Sequence, residues 1–155
     1  MDINTARIVR TRMQECFVEF NLPIVTESKK DDQEESSDFL VFLSQIAING
    51  FLAPIQASVW LDSELIQLSI FFEQELSDAT MPKFLALMNE INLSSPGGYW
   101  VAIPGFQKIE FHTAYVLPGA LNKEQFKGVL QKFLDQGLNQ HAYFKKMMNP
   151  EAHMN

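Results

Sequence analysis

Residues 94–98 read Ser-Ser-Pro-Gly-Gly, a glycine pair beside two hydroxyls, and they are the first place where chemistry would be sought. Such a loop could cradle a phosphate or present a nucleophile. Phosphate cradles run strand, loop, helix, so that the positive helix N-terminus faces the anion. Here the order is reversed, because Phe84, Leu87, Met88 and Ile91 before the loop have helical spacing while Tyr99, Val101 and Ile103 after it alternate as in a strand. No Gly-Lys-Ser/Thr or GxGxxG pattern accompanies it, and Ser94 and Ser95 lack the GxSxG elbow. The segment reads as a turn in which Pro96 stops a helix and the glycines supply positive φ.

The remaining reactive side chains are scattered. His112, His141 and His153 show no metal-ligand spacing, and His112 alternates with Lys108 and Glu110 on the polar parity of its strand. Glu34 and Glu35 belong to an acidic stretch at 27–38 with six acidic and two basic residues, which reads as a solvated loop rather than a preorganised acid–base pair. Cys16, the only cysteine, has no partner for an intrachain disulfide and lies beside an apolar helical stripe, which suits a small buried hydrophobe in a reducing, cytoplasmic setting. These patterns call for no catalytic residue, cofactor or metal.

The elements that would position any site are easier to read. Ala6, Val9, Met13, Phe17 and Phe20 mark a first amphipathic helix, ended by Asn21 and Pro23. Between Phe39 and Phe72, Asn49-Gly50 and Asp62-Ser63 divide three runs rich in Ile, Val, Leu and Phe, an antiparallel meander. Ile55, Ala57, Val59 and Leu61 alternate in the second run and Ile66, Leu68, Ile70 and Phe72 in the third, so one face packs inward. FLVFLSQIAI is apolar on both parities and leaves its register open. A second helix starts near Thr80, two strands follow with a turn at Pro104-Gly105, and a last helix begins at Asn122 with Gln125 in capping-box position. Gly137 is a candidate stop for that helix, and the Met-rich tail offers another turn or two before Pro150. The expected class is α+β: helix, three strands, helix, two strands, helix, with an antiparallel sheet packed on helices. One domain over 1–155 is expected, with a mobile tail at 149–155.

Length and charge narrow the partners. A chain of 155 residues can bury a core without staples. A net charge of −7 and a pI near 4.9 repel phosphate backbones, so neither nucleic acid nor anionic membrane is expected as a partner. No secretory signal is expected from the first residues, and no apolar run reaches membrane-span length. Thirteen phenylalanines imply a dense core or apolar surface reserved for a partner. Trp60, Phe71 and Trp100 fall on the parity opposite the assigned core side chains, each in a different strand. Large aromatics on an open sheet face call for cover, which a helix or the chain's own tail could supply for any one of them, while the three together favour a second subunit or partner protein.

Residues 84–136, FLALMNEINLSSPGGYWVAIPGFQKIEFHTAYVLPGALNKEQFKGVLQKFLDQ, resemble the type III secretion chaperone fold shared by Tir-type chaperones and YbjN-like proteins. The similarity lies in a helix ending in Ile-Asn, a glycine-bearing turn, a strand hairpin, a Leu-Pro exit and an amphipathic helix. Over the N-terminal half it rests on element order and hydrophobic texture. The resemblance implies a non-enzymatic domain that dimerises and binds protein, with no catalytic motif to carry over. The expectation is a non-catalytic, homodimeric protein-binding domain with Trp60, Phe71 and Trp100 as contacts. The alternative is a small-molecule-sensing or enzymatic domain with an apolar pocket between helix and sheet, where converging polar groups would include His112.

Overall fold

The computed structural model describes residues 3–27, 39–116 and 122–149. Most of the acidic stretch expected as a loop at 27–38, and all of the expected tail at 149–155 except Asn149, lie outside the described residues.

Helix α1 (Ile3–Glu19) is followed by strands β1 (Ile24–Glu27), β2 (Phe39–Ile48), β3 (Phe51–Trp60) and β4 (Leu65–Glu73), then α2 (Met81–Ser94), β5 (Tyr99–Ile103), β6 (Lys108–Val116) and α3 (Lys123–Met148). The strands form one antiparallel sheet in the order β1-β2-β3-β4-β6-β5. The α+β class and the antiparallel sheet agree with the sequence reading, which lacked only β1. Four residues are too few for a periodic signal, and Pro23 before them reads as a helix stop.

Register decides which side chains meet the helices. Leu40 opposes Val59, Phe42 opposes Ala57 and Ser44 opposes Ile55; Ile55, Ala57 and Val59 in turn oppose Ile70, Leu68 and Ile66. All these residues are buried, so the ambiguous run turns its even-numbered side chains inward. Against them lie Val9, Met13 and Phe17 of α1, Phe84, Leu87, Met88 and Ile91 of α2, and Phe126, Leu130, Phe133 and Phe144 of α3. Each fully buried phenylalanine contributes about 1.5–3 kcal/mol relative to exposure. Several also stack: Phe17 lies 6.3 Å from Phe42, and Phe111 lies 5.7 Å from Phe133 at 14°.

Turns and caps have local causes. Asn49 (φ 49) and Gly50 (φ 85) form the left-handed pair that a tight hairpin between β2 and β3 requires. Asn122 caps α3 by accepting a hydrogen bond from the Gln125 N–H at 3.1 Å. Gly137 does not stop α3, which continues eleven residues farther to Met148. A Cβ at Gly137 would come within 2.9 Å of Phe111 Cδ1, so the glycine permits the helix to cross close above the sheet.

Candidate functional site

Two regions could carry function: the sheet face that no helix among the described residues covers, and a cavity where the sheet splits.

The open face carries the parity left over by the core. Phe39, Val41 and Leu43 of β2, Leu52 and Trp60 of β3, Leu65 and Phe71 of β4, Val116 of β6, and Tyr99 and Val101 of β5 project there. Phe39 and Trp60 are cross-strand partners with ring centroids 4.8 Å apart. Between these apolar groups runs a polar seam of Gln56, Ser58, Gln67, Ser69, Glu110 and His112. Neighbouring side chains cover part of it, leaving Ser58 4% and Ser69 7% exposed.

The seam contains a serine, a histidine and a carboxylate within hydrogen-bond reach. Ser69 Oγ donates to Glu110 Oε1 at 2.5 Å and lies 2.9 Å from His112 Nδ1; that same nitrogen is 3.2 Å from Glu110 Oε1. With its one proton on Glu110, Ser69 accepts from His112 Nδ1–H. A nucleophilic triad instead needs the histidine to reach serine through one ring nitrogen and the acid through the other. Here a single nitrogen faces both and the carboxylate binds the serine directly, so the cluster holds neighbouring strands in register. Tyr99 packs over His112 at 5.1 Å.

Trp60 and Phe71 lie on this open face, half-buried; Trp100 does not. Trp100 opposes Phe111 across β5 and β6 and is 2% exposed, within 5.1 Å of Phe111, 5.6 Å of Phe72 and 5.0 Å of Phe144. Its indole N–H donates to Gln140 Oε1 at 2.7 Å, and Gln140 Nε2 donates to Ser95 Oγ. Trp100 is a core residue beneath α3, which corrects the face assigned to it from the sequence. Tyr99, Val101 and Ile103 are as apolar as Trp100 and Ala102, so alternation alone could not choose between the two sets. Ser95, considered above as a nucleophile, is tied into this core link, and Ser94 Oγ donates to the Ile91 carbonyl at 3.1 Å.

The cavity arises from the way strand pairing ends. The β3–β4 ladder stops at Ile55↔Ile70, while the β2–β3 hairpin continues to Ile48↔Phe51 and the β4–β6 ladder to Glu73↔Lys108. Pro54, with no N–H to donate, stands where the shared ladder gives out. The two branches enclose a cavity of about 400 Å³, roofed by the C-terminal part of α3. Phe51, Phe71 and Phe72 furnish its apolar wall, and Glu73, Lys108, Lys145 and His141 its polar groups. His141 is 7% exposed, stacks on Phe72 at 3.9 Å and 16°, and leaves Nε2 buried without a hydrogen-bond partner. Burial, with the Lys145 charge nearby, lowers its pKa to about 4, so the ring is neutral at physiological pH. The pocket expected between helix and sheet is therefore present, with His141 in it and His112 outside it. Pro54 inside an otherwise regular strand run was the available sequence signal for the fork.

Elsewhere the reactive groups are structural. Burial raises the Cys16 thiol to about 11, and its Sγ faces the Lys123 carbonyl at 3.8 Å. Glu19 is lowered to about 2 by hydrogen bonds from Lys123 and Lys127, which pin α1 to the start of α3. Among the described residues there is no cluster of three or more His, Cys, Asp or Glu suited to a metal ion, and no helix long and apolar enough to cross a membrane. His153, Glu34 and Glu35 lie outside the described residues.

No protein-family model matches the sequence, and no curated protein matches it. Among solved structures the chain is similar to the crystal structure of YbjN from E. coli, described as a candidate transcription regulator. The TM-score is 0.52 with 14% sequence identity, over 91% of this chain and 90% of that one. At this identity the likeness concerns the fold, which is YbjN-like.

Proposed function

We propose that this chain is a non-catalytic regulatory domain of the cytoplasm that acts through protein contacts, and that its first partner is a second copy of itself docked on the open sheet face. The observation that carries this reading is the composition of that face. In a chain of net charge −7, its described charged residues are Glu73, Lys108 and Glu110, and Glu110 is engaged by Ser69 and His112. Two copies that repel elsewhere can meet there across Phe39, Leu43, Trp60 and Phe71.

The dimensions suit the proposal. The six strands, of four, ten, ten, nine, five and nine residues, rise about 3.3 Å per residue and lie about 4.8 Å apart, giving a face of about 700 Å² in projection. A stable interface uses roughly 800 Å² per partner. The fold likeness to YbjN, itself described as a candidate regulator, points in the same direction.

Sedimentation velocity tests the dimer. The wild type is expected to sediment as a dimer at micromolar concentration and Trp60→Glu as a monomer with an unchanged circular dichroism spectrum. A wild type that stays monomeric as concentration rises, or a Trp60→Glu variant that stays dimeric, overturns the reading. Trp100→Glu serves as the contrast and is expected to unfold, because it places a charge in the core.

A further inference from the structure

The forked end of the sheet holds an arrangement that shares Phe71 with the contacts proposed for the dimer and reaches the helix side of the sheet as well. Apolar walls from Phe51, Phe71 and Phe72 meet the His141 side chain, and Lys108 and Lys145 also line the cavity. Phe51 and Leu52, at the hairpin end of the fork, are 66% and 61% exposed, an uncovered apolar lip. We propose that this cavity is a binding site for a small carboxylate bearing an aryl or alkyl group, with the apolar part between the branches of the fork and the carboxylate drawn to Lys108 and Lys145.

Each element fits that ligand class. His141 is held flat against Phe72 and so is preorganised. Lys145 Nζ lies 5.8 Å from the centre of the Phe51 ring, at the cavity mouth. With the imidazole neutral, Lys108 and Lys145 outweigh Glu73 by one positive charge, against the sign of the whole chain. The C-terminal carbonyls of α3, which would repel an anion, are partly engaged: Met147 accepts from Lys83 Nζ at 3.2 Å and Lys145 from the Asn149 N–H at 3.0 Å. A volume near 400 Å³ lies within the range of small-molecule sites.

The probe is 3-phenylpropanoate, with 3-phenylpropanamide as its uncharged isostere, titrated into the isotopically labelled protein and read by NMR. The acid is expected to give saturable shifts centred on Phe51, Phe72 and His141 and to bind about tenfold more tightly than the amide, the effect of one charge-assisted hydrogen bond. Lys145→Gln, an exposed position safe for folding, should bring the acid's affinity down toward that of the amide. The same titration in the Trp60→Glu background keeps the test independent of dimerisation. No saturation at millimolar acid, equal affinity for acid and amide, or indifference to Lys145→Gln would overturn the proposal.

Discussion

Gly97 and Gly98 are adjacent, yet substitution meets a different obstacle at each. Gly97 has φ +88 and open space around it, so an alanine there suffers backbone strain alone. Gly98 has no such φ, but an added Cβ would lie 2.5 Å from Phe111 Cζ, 2.7 Å from its Cε2 and 2.9 Å from Thr113 Cγ2. Gly137 of α3 approaches the same ring, so two glycines make room for Phe111. Gly97→Ala is expected to cost about 1 kcal/mol from conformational strain. Gly98→Ala should cost about 1–3 kcal/mol from overpacking. A double-mutant cycle in urea with Phe111→Leu, which removes Cζ and Cε2, distinguishes the causes. Position 98 should couple to 111 by at least about 0.5 kcal/mol and position 97 should be additive. Additivity at both positions would mean that the ring swings aside freely and that Gly98 is not held by contact. Of the two glycines that suggested a phosphate loop, only the first needs positive φ; the second makes room for Phe111.

At the scale of elements, the edge strands decide what the sheet can pair with. β5 is an edge, and its outward backbone groups at Trp100 are occupied by one side chain: Trp100 N–H donates to Asn92 Oδ1 at 2.7 Å, and Asn92 Nδ2 donates to the Trp100 carbonyl at 3.0 Å. Asn92, on the last turn of α2, stands in for a neighbouring strand and blunts strand addition there. Asn92→Ala should lose about 1–3 kcal/mol from two hydrogen bonds and gain concentration-dependent association through the freed edge. Thermal melts across a range of protein concentration check both, and a variant that is destabilised without associating would show that Asn92 only fastens α2. The sequence disclosed the elements here but not this job, because a helical asparagine gives no sign of which backbone it faces. Legibility was uneven for the same reason throughout. Ile66 to Phe72 alternate strongly and register followed; Asn49-Gly50 marked its hairpin; Asn122 marked its helix start. Trp100 was placed on the wrong face because both parities of β5 are apolar, and α3 was cut short at Gly137 because a close crossing leaves no signature except the glycine itself. The cavity depends on where two ladders part company, a long-range property that only Pro54 hinted at.

At the scale of the molecule, the open face and the cavity are joined through shared residues. Leu52, Pro54, Phe71, Glu73 and Lys108 line the cavity from the open side of the sheet, while Phe51, Phe72, His141 and Lys145 line it from the helix side. A carboxylate held at Lys108 would neutralise the only lysine among the face's described charges and leave Glu73 and Glu110 uncompensated on each copy. Bringing two such faces together is then opposed by like charge in a partly desolvated interface, where screening is weak. Ligand and second copy should therefore compete energetically, through this charge effect and through Phe71, which both would contact. Coupling of this kind is reciprocal and each dimer carries two cavities, so the factor by which saturating 3-phenylpropanoate weakens dimerisation must equal the square of the factor by which dimerisation weakens its binding at each cavity. Saturating acid should raise the dimer Kd read by sedimentation by about fivefold or more, and the Trp60→Glu monomer should bind the acid more tightly than the wild-type dimer by the square root of that factor. Lys108→Gln, which removes the charge the ligand would neutralise, should abolish the effect of the acid on assembly. An unchanged dimer Kd at saturating acid would separate the two sites and remove the switch, while each would still stand on its own test.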